Sequence, residues 1–306
     1  MDQSLNRTYM AFGKNLPIMN LYQLHISNPD IFRQFAVKDI LFLYYRCPQK
    51  DRILQLHSTY NQFVFSIEGG RIFHQGDNTY HVNRGSGYLM RRAGFLQEMS
   101  DDIEGWELLA FYIKDDYLKK IFNGFRSHLP LRDLPPTPSE MMICLYVDDR
   151  IHDCYLSLIP YFDQTAPLPE EILEIKLREL LYNVFIHPKN RMLLSYVNSL
   201  ADGQVTPLWE IMEANYMYNL KLDQYAHLAN RSLSAFKRDF LAHYHTTPGK
   251  WLAKKRLERA KTLVETSRKS IGEIAFENGF GNLSHFSRVF KDRYGYAPTS
   301  LRKGSD

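Results

Sequence analysis

Cysteine is scarce in this chain: Cys47, Cys144 and Cys154 are the only three in 306 residues, and they share no paired spacing. That excludes a disulfide framework and a zinc module, and leaves the thiols to be read as small buried apolar side chains. Long apolar runs are missing as well. No stretch approaches the roughly 18 unbroken apolar residues of a membrane helix. The N-terminus MDQSLNRTYM lacks the basic-then-apolar build of a secretory signal, so a cytoplasmic protein with no membrane partner is expected. His57, His74 and His81 form no close His-x-His pair of the kind that chelation at one metal favours, and neither a metal nor another cofactor is expected. What is present in quantity is core-forming material, 44% hydrophobic and 14% aromatic residues, over a length that suits two domains.

Charge is spread unevenly. From Gly203 onward there are 17 Lys+Arg against 10 Asp+Glu, a net +7, whereas residues 1–202 carry −3. Between Arg231 and Lys269 the balance steepens to 11 basic against 3 acidic, the footprint of a surface that meets polyphosphate.

The same region repeats itself. SLSAFKRDFLAHYHTTP, Ser232 to Pro248, returns fifty residues later as NLSHFSRVFKDRYGYAP, Asn282 to Pro298, with seven identities at that offset. Each copy predicts a helix that opens on a capping residue, Ser232 or Asn282, and turns an inner stripe of Leu233, Phe236 and Phe240, or of Phe286 and Phe290, toward a core. Each is preceded by a shorter helix: NLKLDQYAHLANR, with Asn230 as a left-handed turn residue, and SIGEIAFENGF, with a Ser270–Glu273 capping box and Gly279 ending it. Helix, tight turn, helix predicts two helix-turn-helix units, each with a second helix fit for a major groove. Between them PGKWLAKKRLERAKTLVE opens on Pro248 and presents Ala253, Leu257, Ala260 and Val264 on one face, a packed helix of about 30 Å from Pro248 to Ser267. Such a rod holds two recognition helices roughly 34 Å apart, one turn of B-DNA. Two copies are too few for a solenoid. Arg238 and Arg288, beside the inner phenylalanines, are candidates for base or phosphate contact.

The segment Leu220 to Arg302, through PGKWLAKKRLERAKTLV and IGEIAFENGFGNLSHFSRVFKDRYGYAP, resembles the DNA-binding domain of the AraC/XylS transcriptional regulators. The resemblance implies base-reading positions at Ser234, Lys237 and Arg238 in the first recognition helix, and at Leu283, Ser284, His285, Ser287 and Arg288 in the second. Leu283 departs from the polar type often found there and leaves a thymine methyl as its contact. Backbone-positioning charge falls to Arg231, Lys250, Lys254, Lys291 and Arg293.

The first two hundred residues read differently. QFVFSIE, RIFHQ, TYHVN, YLMRR and WELLAFYI are short strands broken at Gly69-Gly70 and Asp77-Asn78, an antiparallel meander closing into a small barrel, with His74 and His81 on the strand surface. This resembles the cupin-like barrel of many AraC/XylS regulators. Two amphipathic helices follow, DRIHDCYLSLIPYFDQ and LPEEILEIKLRELLYNVFIHP. The second carries Ile172, Leu173, Leu177, Leu180, Leu181 and Val184, which the resemblance makes a dimer contact over 169–187. The linker around Ser199 to Pro207 sets domains of 1–202 and 203–306. The front half most looks like the activators of type III secretion genes.

The expected fold is thus α+β, with an N-terminal cupin-like antiparallel barrel plus helices and a C-terminal all-α domain of two helix-turn-helix units on a linker helix. The expected function is a sequence-specific DNA-binding activator and not an enzyme. Its partners are promoter DNA, RNA polymerase, a second copy of itself, and a regulatory protein or small-molecule effector on the first domain. The rival reading is a cupin-type metal-dependent enzyme with a nucleic-acid-localising tail.

Overall fold

The computed structural model describes residues 18–49, 52–99, 105–163, 170–204 and 206–303. The N-terminal decapeptide read above for a signal, and Pro169, Gln164 and Val205 within the expected dimer helix, first amphipathic helix and linker, lie outside them. The chain divides into two compact units, one of Met19–Thr206 and one containing the residues from Pro207 onward.

Among the described residues of the first unit eleven strands follow one another: β1 (Met19–Asn20), β2 (Arg33–Val37), β3 (Ile40–Arg46), β4 (Ile53–Ser58), β5 (Asn61–Gly69), β6 (Arg71–Gln75), β7 (Asn78–Val82), β8 (Gly87–Met90), β9 (Ala93–Glu98), β10 (Trp106–Ile113) and β11 (Met142–Leu145). They form two sheets, of order β1-β4-β9-β6-β7 and β11-β8-β5-β10-β3-β2, antiparallel except for the short β1–β4 pair. Among the described residues five α-helices accompany them: α1 (Leu21–Ile26), α2 (Asp115–Phe125), α3 (Asp149–Leu156), α4 (Glu170–Ile186) and α5 (Arg191–Ala201).

The six-stranded sheet is buried on both faces, which explains why WELLAFYI is an unbroken apolar run. Along β10, Trp106, Leu108, Ala110 and Tyr112 belong to the core between the sheets, while Leu109, Phe111 and Ile113 belong to the core under the helices. Successive side chains of a strand point to opposite faces, so both faces of such a strand must be apolar.

Consecutive strands do not make a simple meander. The Gly69-Gly70 step is not a hairpin: β5 lies in one sheet and β6 in the other, so the chain crosses between sheets there. The step needs glycine, because a Cβ on Gly69 would fall 2.2 Å from the Gly105 carbonyl oxygen and one on Gly70 2.0 Å from that of Val82. The second hairpin stands, with its loop one residue earlier, at Gly76-Asp77. Six strands, β1 to β4, β9 and β11, were not among those read from the sequence, and in β4 and β9 inward polar groups break the alternation. Among these are His57, Gln97 and Glu98, all buried.

Other expectations are corrected. His74 is not on the surface: it is 5% exposed, its Nε2 2.9 Å from a Glu98 carboxylate oxygen and its Nδ1 3.1 Å from the Thr79 hydroxyl. His81 is exposed as expected. Cys144 is exposed and Cys47 and Cys154 are half-buried, so none is a core residue. On α4 the side chains of Leu173, Leu177, Leu180, Leu181 and Val184 are all 0% exposed within the core that joins α2 to α5 and the sheet, and cannot meet a second copy. Of the expected dimer contacts only Ile172 faces solvent.

The second unit is all helix: α6 (Leu208–Asn215), α7 (Leu222–Leu228), α8 (Leu233–Tyr244), α9 (Pro248–Thr266), α10 (Ile271–Glu277), α11 (Leu283–Tyr294) and α12 (Pro298–Lys303). No helix among the described residues is long and apolar enough to cross a membrane.

Candidate nucleic-acid interface

The repeat folds as two like units. In the first, α7 ends in a turn whose Asn230 is left-handed at φ 53°, and in the second, α10 ends at Gly279, φ 73°. The Arg231 amide donates to Ala226 O at 2.9 Å and the Phe280 amide to Ala275 O at 3.0 Å, the same closure in both turns. The fifty-residue offset holds for α8 and α11 but is forty-nine for these turns, so the second is longer by one residue, Gly281. Ala226 and Ala275 are 0% exposed, the close approach for which small side chains are needed.

The second helices of the two units, α8 and α11, start as their sequences dictate. Ser232 Oγ accepts from the Ala235 amide at 3.2 Å and Asn282 Oδ1 from that of His285 at 3.0 Å, each satisfying an orphan donor of the first turn. Thr247 caps α9 ahead of Pro248, and Ser270 and Glu273 form the capping box of α10. Phe236, Phe240, Phe286 and Phe290 are fully buried, which anchors one side of α8 and of α11 and turns the other outward.

On that outward side Ser234, Lys237 and Arg238 are exposed in α8, as are Leu283, Ser284, His285 and Arg288 in α11, with Ser287 half-buried. Leu233, which its spacing assigned inward, is 38% exposed at the start of α8, the counterpart of Leu283. Lys237 and Arg288 have no ion-pair partner among the described residues, while Arg238 pairs with its neighbour Asp239 at 3.2 Å. Of the positions assigned to phosphate, Lys250 and Lys291 are exposed and Lys254 lies 4.0 Å from Glu258. Arg231 is engaged inside the protein instead. Its Nε reaches Asp239 at 3.2 Å and one terminal nitrogen donates to Ala229 O at 3.1 Å, bracing the turn. Arg293 pairs with Glu258 of α9 at 3.1 Å.

The linker helix is packed as its pattern requires, with Leu252, Leu257, Ala260 and Val264 buried, although Ala253 is exposed. At one end Trp251 packs on Phe240 and Tyr244, ring centroids 6.1 and 5.5 Å apart. Toward the other, Leu257, Ala260 and Val264 share a core with Ile274, Phe286 and Phe290 of the second unit. At 1.5 Å per residue its 19 residues span about 28 Å. Where α10 begins, Lys269 Nζ donates to both carboxylate oxygens of Glu277 at 2.9 Å. Burial pushes that carboxyl's pKa up, against the lowering influence of the Lys269 ammonium.

Sequence reasoning missed the polar side chains of α9 that leave the helix to join its neighbours. Lys255 reaches Glu213 at 2.6 Å, and Arg256 donates to the carbonyls of Tyr216, Tyr218 and Gly279. Their residue types alone read as surface charge. Among the described residues no group of three or more His, Cys, Asp or Glu side chains could hold a metal ion.

Paired helix-turn-helix units on one helix, following a two-sheet domain in the chain, define a class of DNA-binding transcription regulators. A family model described as a helix-turn-helix domain matches residues 225–304, and one described as the ExsA N-terminal regulatory domain matches 61–196. The matches fall on both units, and the chain is similar to the AraC/XylS family of transcriptional regulators, its front half to the ExsA group. It is 24% identical over 237 residues to the virulence regulon transcriptional activator VirF of Yersinia enterocolitica, covering 77% of this chain and 86% of that one. To the HTH-type transcriptional regulator ExsA of Pseudomonas aeruginosa it is 30% identical over 138 residues, 45% of this chain and 50% of that one. Among solved structures it is similar to ToxT of Vibrio cholerae, at 16% identity and a TM-score of 0.37 over 87% of this chain and 98% of that one.

Proposed function

We propose that this chain is a sequence-specific transcriptional activator that reads two successive major-groove segments of promoter DNA through α8 and α11. Ser234, Lys237 and Arg238 read the first segment, and Leu283, Ser284, His285, Ser287 and Arg288 the second. Lys250, Lys254 and Lys291 position the phosphate backbone. Arg231 and Arg293 act one step back, by holding the turn and the end of α11. The N-terminal unit, cupin-like in kind, takes a regulatory protein or small-molecule effector and carries the dimer contact, for which α4 has only the outward Ile172 and Ile175 to offer. RNA polymerase is the partner through which an activator works, and the cytoplasm is where it meets promoter DNA.

One observation carries this reading: two units of the same build sit on one helix of 19 residues, each exposing polar and basic side chains on the matching turns of its second helix. An N-terminal turn of that kind is where a recognition helix touches base edges. The test is selection of bound duplexes from random sequence by the full-length protein, followed by footprinting. A bipartite site with its two protected segments about 10 bp apart is expected. Recovery of a single short segment, or of no shared sequence, overturns it.

A further inference from the structure

We propose that Arg256 is the positioning residue that sets the spacing and direction of the two recognition helices, an inference that rests on the two-segment reading above. Arg256 stands near the middle of α9. Its Nε donates to Tyr216 O at 2.6 Å, one terminal nitrogen to Tyr218 O at 2.7 Å and the other to Gly279 O at 3.2 Å. Tyr216 and Tyr218 lie on the segment that leads from α6 into the first helix-turn-helix. Gly279 is the turn residue of the second. One planar cation therefore ties the backbone that leads into the first reading unit, and the turn of the second, to the rod between them.

The chemistry suits arginine and no other side chain. A guanidinium offers five donors fixed in a plane, so three carbonyls met at once constrain both distance and orientation, whereas an ammonium is a point that swivels. The turn makes room for it: a Cβ on Gly279 would fall 2.9 Å from Arg256 Cζ and 2.9 Å from Met217 O. Two neighbours on α9 hold one side each, Lys255 to Glu213 of α6 at 2.6 Å and Glu258 to Arg293 of α11 at 3.1 Å. Those are ion pairs between partly exposed side chains, which screening weakens. Arg256 alone of the three reaches both the lead-in to the first unit and the turn of the second, and it does so through backbone. Two linked binding heads gain affinity only while their joint keeps both in register. A loosened joint must therefore lower affinity for the correctly spaced site and leave each head's own affinity intact.

The probes are a duplex selected by the wild-type full-length protein, the same duplex with 5 bp inserted between its two protected segments, and a third with one segment replaced by unrelated sequence. Arg256→Lys, and Arg256→Gln as a second variant, are expected to bind the correctly spaced duplex about tenfold more weakly than wild type. They are expected to bind the single-segment duplex equally well, so that the preference for correct over inserted spacing shrinks by the same factor. Lys255→Ala, which removes the ion pair to Glu213 and the ammonium over the Trp251 ring but no contact with the second unit, should leave that preference unchanged. Melting by circular dichroism accompanies each variant. Equal weakening on all three duplexes, no change on any, or loss of a cooperative melt in both Arg256 variants overturns the positioning role. If wild type itself does not distinguish correct from inserted spacing, the two-segment reading falls, and the role of Arg256 with it.

Discussion

Arg288 and Lys254 are both exposed cations of the DNA-binding unit, yet they are placed for different work. Arg288 stands on the outward side of α11 with no carboxylate within ion-pair distance among the described residues, and a bidentate contact to guanine is the commonest specific base contact of an arginine. Arg288→Ala should cost about 1 to 3 kcal/mol and relax preference at one base pair, whereas Lys254→Ala should weaken all sequences alike and reduce the salt slope by about 1. Titrations of single-base variants at several salt concentrations separate the two, and a uniform loss for Arg288→Ala would remove it from base reading. His25 poses a different question. It is 2% exposed, with Nε2 3.1 Å from the Tyr45 hydroxyl and Nδ1 3.0 Å from that of Tyr112, and burial pushes its pKa down to about 3. The folded chain refuses a proton that the unfolded chain accepts below about 6.5, so this residue's contribution to stability is complete above that pH. It is lost, by roughly 1 kcal/mol per pH unit, as pH falls toward 3. Denaturant midpoints between pH 7 and 4 should show that slope, and His25→Gln should flatten it. An equally steep acid limb in the variant would place the loss elsewhere.

Among the elements, α4 shows where a pattern stops being informative. Its apolar stripe announces a helix with one greasy side and cannot say whether that side meets its own sheet or another chain. Leu177 turns out to be 0% exposed and Ile175 60% exposed. Truncating Leu177 to Ala should cost about 2 to 5 kcal/mol of stability through lost contact and a cavity. Ile175→Ser should change stability by less than about 0.5 kcal/mol and, if α4 carries the dimer, raise the dimer dissociation constant in sedimentation equilibrium. Unchanged association would move the contact off this helix. The helices of the C-terminal unit were more legible, because their ends are written in local chemistry: Ser232, Asn282, Thr247 and the Ser270–Glu273 box all cap where their residue types predict. Caps depend on residues three apart in sequence, whereas β4 and β9 depend on partners across the sheets, and their buried polar side chains hid them.

The molecule as a whole is two compact units, with the positive charge concentrated in the second, +7 from Gly203 onward against −3 before it. A ligand that binds one unit stabilises that unit alone if the two unfold separately. Duplex at 100 times its dissociation constant adds about 3 kcal/mol to whatever it binds. Calorimetry should thus show one transition raised and the other unmoved, while a single transition shifted as a whole would mean that the units melt together. By itself the amino-acid sequence determined the repeat, the caps, the buried phenylalanine anchors and the outward polar turns of α8 and α11, because all of these arise from periodicity and capping within a few residues. Tertiary structure alone decided that the strands sort into two sheets at Gly69-Gly70, that the leucines of α4 face inward, and that Arg256 is a joint and not surface charge. Each of those depends on which distant backbone or side chain arrives opposite, and spacing along a chain holds no record of that.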